Sequence, residues 1–150
     1  MMTGVAATID GFLEGAGIAF KRVSDTTWAL QLRGEHKLTI PVLITVVDDR
    51  LTFESFFMRA PLQNQDRFYD LLLRRNMRSY GVHFALDVVG DVYVVGQRAC
   101  AGIDEAELDR IIGAILIEAD GMFDAAIGIG FESYLAADLA WRARDATEAT

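Results

Sequence analysis

Short runs of strictly alternating apolar residues, joined by turns too short for a crossover, most constrain what this chain can fold into. The run from Leu38 to Val46 has an apolar side chain at every second position, and Asp48-Asp49-Arg50 turns it into a further run from Leu51 to Met58. Alternation with a period of two is typical of a half-buried strand. Because parallel strands need a crossover of about a dozen residues or more, these runs predict an antiparallel sheet.

Similar patterns place the remaining secondary structure. Strands are expected at 28–32, 82–86 and 92–97, with turns at 33–36 and around Gly90. Apolar residues at helical spacing predict helices over 3–14, 65–77 and 104–127, the last opened by a capping box of Asp104 and Glu107. The order helix-strand-strand-strand-helix-strand-strand-helix predicts an α+β fold, with a five-stranded antiparallel sheet and a long C-terminal helix.

Three residues carry local predictions. Pro41 lies inside the second strand and cannot donate to a ladder, so it is expected at a free edge or a bulge. Asn64 is expected to be the N-cap of the second helix. Asn76, at the other end of that helix, is expected to form hydrogen bonds there rather than to act in catalysis.

The length of the chain predicts a single domain over residues 1–150. A domain of this size buries roughly 70% of the surface of its unfolded chain, so it needs neither a disulfide nor a metal to fold. Gly128 and Gly130 are expected to break the long helix, so a C-terminal extension with a last helical segment starts at about residue 128. The small and polar tail from about Arg144 is expected to fray.

The phase of the strands predicts which residues face the helices and form the core. On the strands these residues are Trp28, Leu30, Leu32, Ile40, Val42, Leu51, Phe53, Val82, Phe84, Leu86, Val92 and Val94. On the long helix they are Ile112, Ile115, Leu116 and Phe123.

The same alternation sends apolar residues to the opposite face of the sheet. These residues are Leu43, Phe56, Met58, Tyr93 and Val95. An apolar patch on the surface of a monomer marks a partner surface, so we expect a second subunit to cover this face and the protein to be a homodimer. The alternative is that the segment beyond Gly128 folds back over it. The apolar residues of that segment are Phe131, Tyr134, Leu135 and Trp141.

The charge balance argues against several partners. The chain carries 14 Lys and Arg against 22 Asp and Glu, a formal net charge of −8. Such a charge repels phosphate backbones, so no nucleic-acid binding is expected, although Arg67, Arg74, Arg75 and Arg78 form a basic cluster near the second helix. The most apolar run, 111–117, is far shorter than the ~20 residues that span a bilayer. We therefore expect no membrane association and a cytoplasmic location.

Few side chains are candidates for chemistry. Cys100 follows a strand and is expected to be a packed thiol, although the nearby Arg98 would favour a reactive one. Glu118, Asp120 and Asp124 are expected to be solvated, with weak binding of a divalent cation as the alternative.

The two histidines and the known motifs add no activity. His36 lies in a predicted turn and is expected to be solvated, and His83 points away from the core and is expected to be exposed or hydrogen-bonded rather than a general base, which needs a positioned partner. No nucleotide-binding or hydrolase motif occurs. We therefore expect no catalytic residue, no cofactor and no bound metal.

Five short segments, taken in order, resemble the core of the bacterial YbjN-domain family. They are 61–64 (PLQN), 69–76 (YDLLLRRN), 84–87 (FALD), 90–96 (GDVYVVG) and 103–109 (IDEAELD). Weaker similarity extends over the first three strands, so the resemblance covers about residues 5–127. The family is described as sensory transduction regulators and is similar in fold to type III secretion chaperones, which are dimeric and have no catalytic machinery.

The resemblance implies a non-enzymatic, chaperone-like or regulatory module that recognises another protein chain or a copy of itself. Two alternatives stay open: a transcription-linked regulator that uses the arginines of the second helix, and a small enzyme with an unrecognised site. Strong loss of DNA binding with rising salt would favour the first alternative. A deep polar pocket with perturbed carboxylates would favour the second.

Overall fold

The computed structural model describes residues 2–148, with side chains for residues 4–147. Five helices and six strands occur within this range. In chain order they are α1 (Met2–Gly15), β1 (Ala19–Ser24), β2 (Thr27–Arg33), β3 (Thr39–Val47), β4 (Arg50–Met58), α2 (Gln65–Asn76), β5 (Val82–Leu86), β6 (Val92–Ala99), α3 (Glu105–Gly121), α4 (Phe123–Gly130) and α5 (Glu132–Glu148).

The strands form one sheet in the order β1-β2-β3-β4-β6-β5, and every neighbouring pair is antiparallel. The α+β class and the antiparallel sheet are confirmed. The predicted count of five strands is wrong, because residues 19–24 form an additional strand, β1, at one edge. Buried residues of α1 to α4 join the core on one side of the sheet, which we call the inner face. The opposite side is the outer face.

The sequence did not indicate β1 because one of its inner positions is charged. Phe20 packs against the core, but the next inner position is Arg22, which lies opposite Trp28 in the register. The Arg22 guanidinium stacks 4.8 Å from the centre of the Trp28 ring and pairs with the Asp10 carboxylate of α1 at 3.1 Å. An arginine thus covers an indole where an apolar residue was expected, and the period-two pattern is lost.

The long helix predicted over residues 104–127 is divided in two. Helix α3 ends at Gly121, and α4 begins at Phe123 after the single residue Met122. Glycine has a low helix propensity, which reduces the cost of a break at this point. Phe123 at the start of α4 has its ring centre 6.1 Å from that of Phe57, in an edge-to-face contact that adds to the core.

Both predicted N-cap residues lie at the starts of their helices, but only Asp104 caps its helix through the side chain. Asp104 Oδ1 accepts a hydrogen bond from the backbone N–H of Glu107 at 2.8 Å, which caps α3. Asn64 is the N-cap residue of α2, and its carbonyl accepts a hydrogen bond from the N–H of Phe68 at 2.9 Å, but its side chain makes no hydrogen bond within the cap. Its side-chain amide donates instead to Ile129 O at 2.8 Å and to Glu132 Oε2 at 2.9 Å. Asn64 therefore connects the start of α2 to the junction between α4 and α5.

Pro41 lies in β3, an interior strand, at a place where that strand has lost one neighbour. It pairs with Gln31 of β2, whereas the pairing of β3 with β4 starts only at Leu43 opposite Glu54. Beyond that pair β3 has a locally free edge, and proline is tolerated there. The expectation of a free edge is met without β3 being an edge strand.

The inner face carries the core that the strand phase predicts. All of the predicted strand residues are buried except Leu86, which is 50% exposed. Leu86 is the last residue of β5 at the edge of the sheet, and its assignment to the core is wrong. Ile112 and Ile115 are buried, and the two other predicted helix residues pack half-buried against the core.

The residues after Gly128 finish α4 and form α5. This helix continues through Arg144 to Glu148, so residues 144–148 of the tail that was expected to fray are helical, and the last two residues of that tail lie outside the described residues. Tyr134 and Trp141 of α5 are 69% and 58% exposed. The alternative that this segment folds back over its own sheet is therefore wrong.

Phe84→Ala tests the strand phase. Phe84 is 7% exposed, and its ring lies 5.0 Å from that of Phe57. Because removing the ring leaves a cavity, we expect the free energy of unfolding to fall by about 3–5 kcal/mol in chemical denaturation. Leu86→Ala, at the exposed end of the same strand, is the control and should cost much less. An unchanged stability of Phe84→Ala would contradict the assignment of the inner face.

Candidate protein-binding surface

The outer face of the sheet is open among the residues that the structure describes. Four of the five residues predicted for a partner surface lie on this face, and we call them the outer patch. They are Leu43, Phe56, Tyr93 and Val95. Leu43 is 38% exposed, and the other three side chains are half-buried by their neighbours. The sequence therefore identified most of this surface.

The strand register joins the outer patch into one surface. Phe56 lies opposite Tyr93, and the two rings meet edge to face with their centroids 5.5 Å apart. Glu54, two residues before Phe56 on β4, lies opposite Val95 on β6 and opposite Leu43 on β3. Directly opposite residues have Cβ atoms about 4.5–5.5 Å apart, so the patch is contiguous across β3, β4 and β6.

Glu54 places a carboxylate within this apolar surface. It is exposed, and its side chain makes no hydrogen bond or ion pair with any residue in the range 4–147. The residues paired across the sheet with Glu54 end in His83 on β5 at one edge and in Lys21 on β1 at the other. His83 is exposed and faces away from the core, as predicted. The outer face thus has an apolar centre with an unpaired acid and ionisable nitrogen groups near both edges.

Met58 does not belong to the outer patch, and its predicted orientation is wrong. The register between β4 and β6 shifts after Phe56, so that Met58 lies opposite Val92 and Phe57 is the extra residue of a β-bulge. Both Phe57 and Met58 are buried, at 1% and 6% exposure. From the bulge onward, the residues that would point outward point inward. The alternation of apolar residues in the sequence does not indicate where a bulge occurs.

The edges of the sheet are less open to a partner than its outer face. On β5, the Asn76 side chain donates to Phe84 O at 3.2 Å and accepts from Phe84 N at 2.8 Å. Ser79 Oγ donates to Val82 O at 2.6 Å. These bonds confirm the hydrogen-bonding role of Asn76, and they occupy groups with which another strand would pair. The other edge, β1, carries two adjacent basic residues, which disfavour pairing.

Glu118 was expected to be solvated, but it is buried and connects two helices. Its carboxylate accepts two hydrogen bonds from the Arg75 guanidinium of α2, at 2.7 and 3.1 Å, and these bonds raise the pKa of Arg75. Removing one partner of such a pair costs about 3–5 kcal/mol. The sequence held a signal for this contact, since Glu118 continues the buried stripe of Ile111 and Ile115.

Asp120 and Asp124, also expected to be solvated, hold the turn between β2 and β3 against α3 and α4. Asp120 accepts hydrogen bonds from the backbone N–H groups of His36 and Lys37, at 2.7 and 3.0 Å. Asp124 Oδ2 lies 2.7 Å from His36 Nδ1. A Cβ at Gly34 would collide with the Asp120 carboxylate, so the turn requires glycine there. The solvated interpretation is therefore wrong for Asp120, whereas Asp124 is exposed as expected and pairs with His36 at the surface.

The remaining candidates for chemistry form no arrangement suited to catalysis. Burial, and to a lesser extent Asp49, raises the pKa of the Cys100 thiol, which opposes the reactive-thiolate alternative. Neither histidine makes a hydrogen bond with a serine or cysteine side chain within residues 4–147. Across the same residues, no three His, Cys, Asp or Glu side chains are grouped to hold a metal ion. None of the helices described has the length and apolarity to cross a membrane.

The arginines near α2 are partly neutralised. Arg75 is bound to Glu118, and Arg74 makes an exposed ion pair with Asp70 at 2.9 Å. Arg67 shares a shallow depression with Asp66 and Asp70. Since carboxylates are interleaved with these cations, the helix offers a weaker attraction for phosphate than its arginine count suggests.

Asp120→Asn tests the anchoring of the turn through its pH dependence. The backbone N–H groups of His36 and Lys37 hold the pKa of Asp120 below its ordinary value of 3.8. The ionised carboxylate therefore stabilises the fold at neutral pH, and this contribution is lost as the pH falls through the lowered pKa of the folded state. We expect the variant to melt below the wild type at neutral pH, with a gap that narrows in acid.

The matched control for this experiment is Asp109→Asn, at an exposed position of the same helix. Its melting temperature should stay close to that of the wild type at every pH. A gap for Asp120→Asn that keeps its size below pH 3.8 would contradict the assigned hydrogen bonds.

The fold and the surface together define a class of small α+β proteins in which helices bury one face of an antiparallel sheet. A similar arrangement occurs in a chain of the structure of the Yersinia pestis type III secretion chaperone SycH in complex with a stable fragment of YscM2. The TM-score is 0.52 at 17% identity, covering 77% of this chain and 96% of that chain. The predicted likeness to the fold of type III secretion chaperones is confirmed, with six strands in place of five.

The chain belongs to the YbjN family. The family model, described as "Putative bacterial sensory transduction regulator", matches residues 6–127. The structure of YbjN from E. coli, described as a putative transcription regulator, is similar with a TM-score of 0.54 at 17% identity, covering 82% of this chain and 89% of that chain.

A relative in Mycobacterium tuberculosis, the uncharacterized protein Rv0487, is 41% identical over 113 residues. The match covers 75% of this chain and 62% of the relative. The chain thus spans about three fifths of the length of the curated relatives it matches.

Proposed function

We propose that the chain is a non-enzymatic protein-binding module, chaperone-like or regulatory, and that the outer patch is the surface that contacts another protein chain. The observation that carries this proposal is the open outer face, on which aromatic and aliphatic side chains lie without a cover. Contiguous apolar surface rimmed by polar residues is typical of protein interaction sites.

The chemistry of the outer patch suits a protein partner. Phe56 and Tyr93 are held in one relative orientation by their edge-to-face contact, so they present a rigid aromatic centre. Aromatic anchors of this kind contribute a large share of the binding energy at interfaces. Glu54 adds a carboxylate that favours a partner with a cation at the matching position and so selects its orientation.

The similarity in fold to a type III secretion chaperone also supports a role in protein binding. The chaperone SycH, which has a similar fold, was solved in complex with a fragment of another protein. The proposal extends such partner binding to this chain and places it in the cytoplasm, where the lone Cys100 stays reduced.

The transcription-linked alternative has less support. It needs the arginines near α2 to be available to phosphates, and Arg74 and Arg75 are paired with carboxylates. The net charge of −8 opposes the approach of nucleic acid as well.

Capture from native lysate with two baits tests the proposal. Phe56→Glu puts a charge in the aromatic centre, and we expect it to lose proteins that the wild type retains, because a buried unpaired carboxylate disfavours an apolar contact. Quantitative mass spectrometry of the bound proteins measures the loss. Circular dichroism verifies that the variant is folded.

The matched control is Leu73→Glu, which introduces the same charge at a 66% exposed position of α2. This bait should retain the proteins that the wild type retains. Identical protein sets for all three baits would contradict the assignment of the outer patch.

A further inference from the structure

We propose that a second copy of this chain covers the outer patch with its helix α5, and that the two copies exchange these helices reciprocally. This inference names the partner of the outer patch and rests on the proposed function, in which that patch binds protein. It starts from two apolar surfaces that one chain leaves uncovered at the same time.

The first surface is the outer patch, and the second is an aromatic stripe on α5. Tyr134 and Trp141 are separated by seven residues, close to two helical turns, so they lie on the same side of α5. Ala137 lies between them, one turn from each. Both aromatic side chains are more than half exposed. Large aromatic residues in this position are typical of helices that pack against a partner.

The two surfaces of one chain are held apart. The backbone N–H of Ser133 donates to Gln63 Oε1 at 2.7 Å, and Gly130 O accepts from the N–H groups of Leu62 and Gln63 at 2.9 and 3.1 Å. A Cβ at Gly130 would come within 2.8 Å of the Phe68 ring of α2, so this junction packs tightly. The start of α5 is thus fixed beside α2, on the side of the sheet opposite the outer patch.

The dimensions of the two surfaces match. Helix α5 has 17 residues, which corresponds to about 25 Å at a rise of 1.5 Å per residue. Six strands with spacings of about 4.8 Å give a sheet about 24 Å wide. A single α5 from another copy therefore reaches across the outer face from one edge to the other.

The unpaired charges of the two surfaces are complementary. Glu54 has no ion pair among the described side chains, and it lies between Leu43 and Val95. Arg144 of α5 is exposed and likewise has no ion pair there, and it follows Trp141 by one helical turn. A helix that packs its aromatic stripe on the outer patch brings the Arg144 guanidinium to the side of the Glu54 carboxylate.

Reciprocal exchange gives a closed dimer of sufficient size. Each contact combines Tyr134 and Trp141 of one copy with Phe56 and Tyr93 of the other, so a dimer covers eight rings. An aromatic side chain buries about 150–250 Å² when fully covered. Partial cover of eight rings therefore reaches the order of 1,000 Å² that a specific interface needs. Because both contacts are related by a two-fold axis, the assembly closes instead of growing into a filament.

Light-scattering chromatography of the full chain tests the exchange. We expect the wild type and Leu73→Glu to elute with the mass of two chains, and Trp141→Glu to elute with the mass of one. Trp141 lies on the exposed side of α5, so this variant is not expected to unfold the core. Since Trp28 is fully buried and Trp141 is the other tryptophan, the emission of the wild type should shift to the red on dilution as Trp141 enters water.

Cross-linking distinguishes the exchange from other dimers. In a Cys100→Ser background, a chain with Leu43→Cys is mixed with a chain with Ala137→Cys and oxidised. We expect a disulfide between the two kinds of chain in preference to disulfides within one kind. A monomeric wild type, a Trp141→Glu variant that remains dimeric, or the absence of the mixed disulfide would each overturn the exchange.

The same variants separate this inference from the proposed function. Trp141→Glu leaves the outer patch intact, so as a bait in native lysate it should capture partner proteins at least as well as the wild type. If the wild type is a monomer but Phe56→Glu still loses captured proteins, the exchange fails and the proposed function stands. If Phe56→Glu loses nothing, the proposed function fails.

Discussion

The burial of one face of the sheet under the helices is the interaction on which the rest of the structure depends. In an antiparallel strand, each residue that turns inward sends its neighbours outward, so a core containing Phe53 and Val94 necessarily places Glu54, Tyr93 and Val95 on the other side. The buried apolar residues of helices α1 to α4 all pack on the inner face. The outer patch is therefore a consequence of how the core is built, and its apolar composition is the basis of the proposed protein binding.

Polar contacts between the elements keep the helical layer in its place on the inner face. The Arg75–Glu118 pair connects α2 to α3, and Asp120 fastens the turn between β2 and β3 to the end of α3. Neutral apolar packing tolerates sliding, whereas a bidentate ion pair and a carboxylate that accepts two N–H bonds have one preferred geometry. The carboxylates that the sequence suggested as candidates for chemistry are therefore engaged in contacts that stabilise the fold. The outer face is not involved in these contacts.

The alternation of apolar residues was sufficient to predict the fold class, five of the six strands, the core and most of the outer patch. Most of the errors lie where a tertiary contact or a β-bulge overrides a local pattern. Arg22 occupies an inner position because it stacks on an indole, and Met58 turns inward because a bulge adds one residue to its strand. Helix α3 ends at Gly121, just before Phe123 contacts Phe57, and Glu118 is buried where it pairs with Arg75.

The accessibility of the Tyr93 side chain tests the central claim most directly. Hydroxyl-radical footprinting compares its oxidation rate in the dilute chain, in the concentrated chain and in the chain added to native lysate, with Tyr80, which is 51% exposed near the Arg98 side chain, as the internal reference. If the outer patch is a protein-binding surface, Tyr93 is protected in the concentrated chain or in lysate while Tyr80 reacts at a constant rate. Equal reactivity of Tyr93 under all three conditions would contradict the account.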